Sequence, residues 1–561
     1  MPRGRHFQFT IFTVRDGFFD GFNRPVTVSA ILAINTLIAW ILFSPEQSTE
    51  TLRAIKTVLL EGVRGWFFYC LAGLLITALI IAALPISARL RLAKHGGARP
   101  EFSTFSWLSM MFCGGIGAGI VVYGVAEPMS HFTTNPELLQ GQVSEGSVAA
   151  ARSALKYTFL HWGLSAWACY TVLGLALALF SYRYGLPLTI RSVVAPLFKH
   201  RLAGACGHVI DVFAIVAILA GLATTLGYSM HSISAGLGYL MDMPLAMDTA
   251  EPRLVPLIAL VACACLAARA VISGVDHGIK WLSIVGTLAF FAVLAFFALH
   301  TPPNALREIA LAATFDYIAD LPSLSLNIFS AGHDVDTAAL STWQADWTVF
   351  YWTWWIAFAP FVSLFLARIS KGRTVREFVL GSALAPCGLC FAWFACSGTA
   401  ALSLEMSQPE PLLANRVPSE QLFVAIAELD PTLSGQIICW IAFTVVFILA
   451  AVTFASGLMA ITTIAAAGDN AAKPRKHTRL WAVLATGIIG ALFAAGGTAS
   501  IRDVMVICAL PISLVISGAA LSVIWALSAE IRHMRANSIN AKPIFATRRT
   551  PPQIRTGTDA L

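Results

Sequence analysis

Charged side chains are scarce in this sequence: Asp, Glu, Lys and Arg make up 12% of its 561 residues, and hydrophobic residues make up 57%. A soluble domain carries about 25% charged residues, so the composition excludes a soluble protein of this length. The apolar residues form unbroken runs of helical length and do not alternate with polar residues, which excludes an outer-membrane barrel. The composition therefore predicts an all-α integral membrane protein.

Several chemical signatures are also missing. The sequence has no Walker-type phosphate loop, no HExxH zinc motif and no GxSxG nucleophile motif, so neither an ATP-driven pump nor an enzyme is expected. Cys387 and Cys390 have a redox-like spacing, but they lie inside an apolar run without a second pair, and we interpret them as structural. No cofactor and no firm metal site are predicted.

The apolar runs are long enough for about twelve membrane-spanning helices of about 20 residues each. They lie near residues 27–44, 66–86, 104–125, 155–182, 207–240, 255–272, 279–300, 347–369, 376–402, 437–466, 480–498 and 503–529. The segment from 301 to 346 is too polar to span, and a short surface helix is expected around Ser325. The tail from about Arg532 is polar and basic and is expected to be flexible.

The loops between these runs alternate in charge. One set is basic, with Arg89, Lys94, Arg183, Lys199, Lys280, Lys371, Arg373 and Lys476 among its members. The other set is acidic or poor in Lys and Arg, with Glu127, Glu137, Asp242, Asp320, Glu410 and Glu428 among its members. By the positive-inside rule, the basic loops and both termini face the cytoplasm of a bacterial inner membrane. The formal charge of +7 thus reflects topology, and the predicted partner of the basic residues is the bilayer, not nucleic acid.

Glycine is concentrated in the third predicted span, at positions 114, 115, 117 and 119. Each glycine in a helix interior costs about 1 kcal/mol relative to alanine. One interpretation is a broken helix, whose free backbone groups bind ions or polar solutes at mid-membrane. The other is close helix packing of the GxxxG type, which Gly115 and Gly119 fit.

Aromatic residues are concentrated in the fourth and eighth predicted spans. At 100° per residue, Trp162, Trp167 and Tyr170 share one face of the fourth span. Trp347, Tyr351, Trp355 and Phe358 form a stripe along the eighth span. Facing aromatic rings bind a quaternary ammonium group through its charge, since that group has no N–H to donate. Aromatic stripes also serve packing, and periodicity alone does not separate the two roles.

The segments Trp347–Trp355, Pro360–Val362 and Phe365–Phe378 resemble the signature of the betaine/carnitine/choline transporter family. Tyr123–Pro128, His161–Trp167 and Ser273–Ser283 are similar to other blocks of the same family. The resemblance runs in order from about residue 20 to 530. It implies a secondary transporter of a small zwitterionic or cationic solute. It also implies twelve spans with two inverted five-helix repeats of the leucine-transporter type, and some relatives are homotrimers.

The resemblance implies a domain organisation and a substrate site. Residues 1–100 would hold the N-terminal tail and two peripheral helices, 101–302 the first repeat, 303–345 a periplasmic loop, 346–530 the second repeat, and 531–561 the cytoplasmic tail. An aromatic box would comprise Trp162, Trp167, Tyr170 and Trp355, with Phe350 and Trp352 close by. The unwound stretch would contain Gly115, Gly117 and Gly119.

Three departures from the family pattern bear on substrate and coupling. Family members that import choline with protons tend to have aspartate where this chain has Gly119, which favours a zwitterion such as glycine betaine or a carnitine-like solute. Phe358 replaces a usual tryptophan. The candidate ion site would involve Cys113, Ile116 and Thr453, but Phe454 stands where sodium-coupled members have a hydroxyl, unless the alignment is shifted and Ser456 supplies it.

A hard cation needs several oxygen ligands, so the phenyl ring of Phe454 favours sodium-independent transport, by exchange or with protons. The alternatives are sodium- or proton-coupled uptake of choline, ectoine or a sulfonium compound, and a sensor that binds solute without moving it. His231 and Arg269 are the ionisable residues noted inside the spans; His231 is interpreted as a packing residue and Arg269 as reaching the cytoplasmic face.

Overall fold

A computed structural model of the protein describes residues 8–94, 98–115, 117–242, 254–274, 278–329, 335–469 and 474–540. These residues are overwhelmingly helical, and their only β pairing consists of two isolated bridges. The helices of the first half are α1 (Arg24–Phe43), α2 (Pro45–Ala83), α3 (Thr104–Gly115), α4 (Ala118–Thr133), α5 (Pro136–Leu139), α6 (Val148–Trp162), α7 (Leu164–Ala178), α8 (Ala195–Phe198), α9 (Ala205–Leu240), α10 (Leu254–Ile272) and α11 (Lys280–His300). The prediction of an all-α membrane protein is confirmed.

The second half begins with α12 (Pro303–Ala305), α13 (Ala312–Leu326) and α14 (Val335–Gln344). It continues with α15 (Phe350–Ile369), α16 (Val375–Ser407), α17 (Pro418–Leu429), α18 (Leu433–Ala465) and α19 (Arg475–Asn540). Short π-helical turns at Leu306–Leu311 and Ala345–Val349 join α12 to α13 and α14 to α15. Thr374 starts α16 with a capping box, since its hydroxyl accepts the amide of Glu377 and the Glu377 carboxylate accepts the amide of Thr374.

Eleven helical segments of the described chain are long and apolar enough to cross a membrane. The third predicted span is absent from that set because it is divided into α3 and α4, each shorter than 18 residues. The last two predicted spans form α19, in which two helices meet at Gly497, where the backbone is non-helical with φ +62°. Glycine adopts this positive φ with little steric strain because it has no Cβ.

The region after α11 differs from the expectation. In place of one short helix around Ser325, the chain is helical from Pro303 to Leu326, and this segment meets the criteria for a span. Its mean hydropathy of 1.2 is the lowest of the eleven. At the other end, the tail was expected to be flexible from residue 531, but α19 continues to Asn540.

Burial shows which helices lie at the centre. In the apolar windows of the α6–α7 and α14–α15 segments 94% of residues are buried, against 28% for α1 and for α11. The side chains of Leu32, Phe43 and Leu288 on those outer helices are mostly exposed, as expected for surfaces that face lipid. The two aromatic-rich spans therefore form the core around which the other helices pack.

Basic loop residues do more than set topology. Arg191 and Asp211 form a fully buried ion pair with Nε–Oδ2 2.7 Å. Arg183 pairs with Glu530 of α19 through two hydrogen bonds of 2.8 and 3.0 Å. These contacts fasten the loops after α7 to α9 and α19 at one end of the bundle.

Candidate functional site

The third span is interrupted at its glycine run. α3 ends at Gly115, and Gly117 has an extended backbone with φ −84° and ψ 169° before α4 begins at Ala118. The break is shorter than the predicted stretch of 115–119, because Gly119 is already helical. Ile116 and the side chain of Cys113 lie outside the described residues.

The glycines after the break allow aromatic rings to approach α4. A Cβ on Gly119 would lie 2.9 Å from Cη2 of Trp354 and 3.8 Å from Cη2 of Trp162. A Cβ on Gly124 would lie 2.6 Å from the indole of Trp393. The two interpretations of the glycine run therefore apply to different positions: Gly117 lies at the break, and Gly119 serves close packing.

A second break, which the sequence reading missed, divides the fourth span. α6 ends at Trp162, Gly163 is extended with φ −93° and ψ −152°, and α7 begins at Leu164. The Tyr317 hydroxyl of α13 accepts the Leu164 amide at 2.9 Å. A single glycine in the motif His161-Trp-Gly was the available signal, and one glycine is too weak a signal for a break.

The carbonyl groups released by this break accept indole N–H groups. Trp355 Nε1 donates to the carbonyl of His161 at 3.0 Å, and Trp167 Nε1 donates to the carbonyl of Trp162 at 3.2 Å. The break thus connects α6, α7 and α15 at one point in the core. With their N–H groups occupied, both indoles contact their neighbours through ring carbons.

The four predicted box residues come together at this point. The ring centroid of Trp355 lies 5.6 Å from that of Trp162, 5.4 Å from that of Trp167 and 5.0 Å from that of Tyr170. The Trp162–Trp355 pair is nearly perpendicular, at 84°. All four side chains are buried. Trp355 is therefore the ring that the other three surround.

Phe350 and Trp352 lie apart from this group. Trp352 packs edge-on against Phe68 of α2 at 6.4 Å, and its Nε1 has no partner among the described residues. Phe350 contacts Trp354 at 5.5 Å and lies under the guanidinium of Arg502, 4.8 Å from its ring centroid. Within the predicted stripe, Phe358 instead lies against Gly221 of α9.

A second aromatic group adjoins the box on the side of Trp162. We call it the tyrosine cluster, and it comprises Tyr123, Tyr228, Phe350, Tyr351 and Trp354. Its central ring, Tyr123, lies 5.5 Å from Tyr228, 6.0 Å from Tyr351 and 6.0 Å from Trp354. Trp162 contacts both groups, at 5.5 Å from Tyr351 and 5.6 Å from Trp355.

A buried carboxylate, Glu127 of α4, lies beside Trp162. Its Oε2 accepts the Trp162 indole N–H at 2.7 Å and the Tyr351 hydroxyl. Its Oε1 lies 2.7 Å from Nδ1 of His161 and 3.4 Å from Nε2 of His131. Nε2 of His161 is in turn 3.1 Å from the Thr348 hydroxyl. All these groups are buried.

The expectation that Glu127 lies in an acidic outer loop was wrong, since Glu127 is fully buried inside α4. No role was predicted for either histidine, although Glu127 and His161 belong to segments that carried the family resemblance. His231, singled out instead, packs against Phe493 with centroids 4.9 Å apart. Arg269 lies in the last turn of α10. The missed signal was an acidic residue two positions after the end of the third apolar run, inside the segment Tyr123–Pro128.

Glu127, His131 and His161 place three ligand-type atoms within 4.8 Å of one another, a spacing also found in metal sites. Oε1 of Glu127 lies 2.7 Å from Nδ1 of His161, at hydrogen-bond distance, and 3.4 Å from Nε2 of His131. We therefore treat the three side chains as a hydrogen-bonded group.

One predicted ion-site residue of α18, Thr453, lies opposite the break in the third span. A Cβ on Gly117 would lie 3.6 Å from Oγ1 of Thr453 and 3.9 Å from the methyl group of Thr225. Phe454 is fully buried, whereas Ser456 is partly exposed. Thr453 is thus the predicted ion-site residue whose hydroxyl lies near Gly117.

Comparison with known proteins decides the family. The profile of the betaine/carnitine/choline family transporters matches residues 25–532. The chain belongs to this family. As a family member it is a membrane transporter and not an enzyme, which confirms both predictions.

The family assignment is supported by individual relatives. An osmo-independent choline transporter of Acinetobacter baylyi is 32% identical over 503 residues, covering 87% of this chain and 90% of the relative. A glycine betaine transporter of the same organism is 30% identical over 538 residues, covering 96% and 77%. A glycine betaine transporter of Bacillus subtilis is 29% identical over 522 residues, covering 92% and 96%.

Proposed function

We propose that this family member is a secondary transporter of a quaternary-ammonium zwitterion, such as glycine betaine or a carnitine-like solute. The proposal is carried by the convergence of Trp162, Trp167, Tyr170 and Trp355 at the break between α6 and α7. Desolvated rings attract an ammonium group by about 0.5–2 kcal/mol each. Relatives of similar length are named as transporters of choline and of glycine betaine.

The box rings touch one another, with centroids 5.0 to 5.6 Å apart. A trimethylammonium group fits among them only when the rings separate. Trp355 belongs to α15 and the other three rings to α6 and α7. Binding is therefore expected to move α15 relative to the fourth span, a motion of the kind that alternating access uses.

Gly119 bears on the choice between zwitterion and cation. Trp354 occupies the space next to this glycine, at 2.9 Å from a built Cβ, so an aspartate there would have to displace that indole. The resemblance associates such an aspartate with proton-driven choline import. We therefore propose a zwitterion as the preferred substrate, with choline as the second candidate because one relative is named for it.

For topology, we propose twelve crossings in two inverted five-helix repeats, within the domain limits predicted above. In this assignment α3 and α4 together form one crossing, α19 forms two crossings that meet at Gly497, and the segment from Pro303 to Leu326 lies at the surface. The basic loops and both termini face the cytoplasm of an inner membrane. A homotrimer is the proposed assembly, on the resemblance alone.

We further propose that transport does not depend on sodium. Thr453 presents a hydroxyl near Gly117, but its neighbour Phe454 has no oxygen in its side chain and is fully buried. A sodium ion there would lack one of its usual oxygen ligands. The initial rate of glycine betaine uptake into proteoliposomes is expected to change less than twofold when an inward sodium gradient is added.

That uptake assay also tests the function itself. Preloading the vesicles with unlabelled glycine betaine should accelerate uptake of the labelled solute if the protein exchanges substrates. An inward proton gradient should accelerate it if protons are coupled. Strong stimulation by sodium would contradict sodium independence, and absence of both uptake and binding for glycine betaine, carnitine and choline would contradict the proposed function.

A further inference from the structure

Glu127 carries a buried negative charge with no basic ion-pair partner among the described lysine and arginine residues. Lys156 pairs with Glu137 and Asp320, and Arg502 binds Asp346 and covers Phe350. Burying a carboxylate costs free energy unless donors surround it. Trp162, Tyr351 and His161 supply such donors, so the surroundings stabilise the ionised form.

The indole of Trp162 lies between this carboxylate and the aromatic box. Its N–H donates to Oε2 of Glu127 at 2.7 Å, and its ring contacts Trp355 with centroids 5.6 Å apart. A hydrogen bond to an anion polarises the donor group. Greater negative charge on the indole ring strengthens its attraction for a cation at its face.

We propose that Glu127 is the buried counter-charge for the substrate's ammonium group, and that it acts across the indole of Trp162 without touching the substrate. The residue then determines specificity, since it favours trimethylammonium over an uncharged group of the same shape. This inference rests on the proposed function. A quaternary ammonium has no N–H, so a carboxylate in direct contact with it would gain no hydrogen bond. A carboxylate behind the Trp162 ring therefore forgoes no hydrogen bond to the substrate, and the box stays apolar.

The simplest competing role for Glu127 is positioning, in which it only orients Trp162. Glu127→Gln separates the two roles because a glutamine side-chain oxygen still accepts the indole N–H but carries no charge. Glycine betaine and 3,3-dimethylbutanoate are suitable probes, since they share a shape and a carboxylate and differ in the charge of the trimethyl group. Their dissociation constants are measured on the purified full-length protein, by competition where binding is weak.

The counter-charge role predicts that Glu127→Gln weakens glycine betaine binding by about tenfold, as expected for a charge interaction across one buried ring. Binding of 3,3-dimethylbutanoate should stay equal or tighten, because a repulsive charge has been removed. Glu405→Gln is the matched control: this buried carboxylate accepts the backbone amide of Leu413 at 2.7 Å, and its replacement should leave the preference between the two probes unchanged.

The outcomes are distinct. If Glu127→Gln weakens the binding of both probes equally, the preference between them is unchanged. Glu127 then only positions Trp162, and the counter-charge role is overturned. If the variant does not fold, equal affinity of the unaltered protein for glycine betaine and 3,3-dimethylbutanoate overturns the proposal. If the unaltered protein binds neither glycine betaine nor another quaternary ammonium, the proposed function itself fails and this inference fails with it.

Discussion

Replacing Trp355 by alanine is expected to lower the affinity for glycine betaine by about thirtyfold and to reduce uptake to background. This ring contacts all three other box residues, and its N–H satisfies the carbonyl of His161 at the helix break. Loss of one desolvated ring costs about 2 kcal/mol, which corresponds to about thirtyfold in affinity. Quenching of tryptophan fluorescence gives the affinity, and labelled uptake into proteoliposomes gives the rate.

Trp440→Ala is the control for this substitution. Trp440 also lies in an apolar helix, but 44% of it is exposed on α18, so its loss should leave both affinity and uptake unchanged. If Trp355→Ala binds glycine betaine as tightly as the unaltered protein, the box is not the substrate site. Binding without any uptake by the unaltered protein would identify a sensor.

Replacing Gly163 by alanine is expected to destabilise the protein by about 3 kcal/mol, the upper end of the usual cost of overpacking, and to reduce uptake below about a tenth. The added Cβ would lie 2.3 Å from the carbonyl oxygen of Phe159 and 2.5 Å from the Tyr317 hydroxyl. Backbone cannot yield as a flexible side chain can, so α6 and α7 must shift. That shift disrupts the carbonyl contacts of Trp167 and Trp355.

Gly388→Ala is the matched control, because no described atom lies within 4 Å of a Cβ built on this helical glycine. Thermal unfolding of the detergent-solubilised protein measures stability, and the same vesicles measure transport. An unfolding midpoint and uptake rate for Gly163→Ala equal to those of Gly388→Ala would show that the break at Gly163 does not organise the site.

The sequence predicted the architecture well where the signal is local and repeated. Apolar runs and glycine density locate the membrane helices and the break at Gly117, because both effects act within a few residues of the chain. The periodicity of Trp162, Trp167 and Tyr170 places them on one helical face, although that calculation assumed a continuous helix. The break at Gly163 changes their relative angles, and the contacts with Trp355 form nonetheless.

Features that depend on tertiary contacts could not be predicted in this way. The sequence places Trp347, Tyr351, Trp355 and Phe358 in one stripe. Their side chains nevertheless lie in three different environments, because α15 is buried on all sides. Trp347 packs edge-on against His131, Trp355 lies in the box, and Phe358 faces α9. A fully buried helix has no face that periodicity can assign to a ligand.

The environment of Glu127 likewise could not be predicted from the sequence. Its partners come from α6 and α15, and they are 34 and 224 residues away along the chain. Only the assembled helices show that an acidic residue in an apolar segment has donors enough to remain ionised. A carboxylate inside the membrane costs free energy, so Glu127 is a stronger candidate for a functional role than His231.

An experimental structure with glycine betaine bound tests the central claim most directly. The trimethylammonium group is expected among Trp162, Trp167, Tyr170 and Trp355, within about 6 Å of the ring centroids, with those rings further apart than their present 5.0 to 5.6 Å. A substrate held instead within the tyrosine cluster of Tyr123, Tyr228, Phe350, Tyr351 and Trp354, with the box rings still in contact, would contradict it.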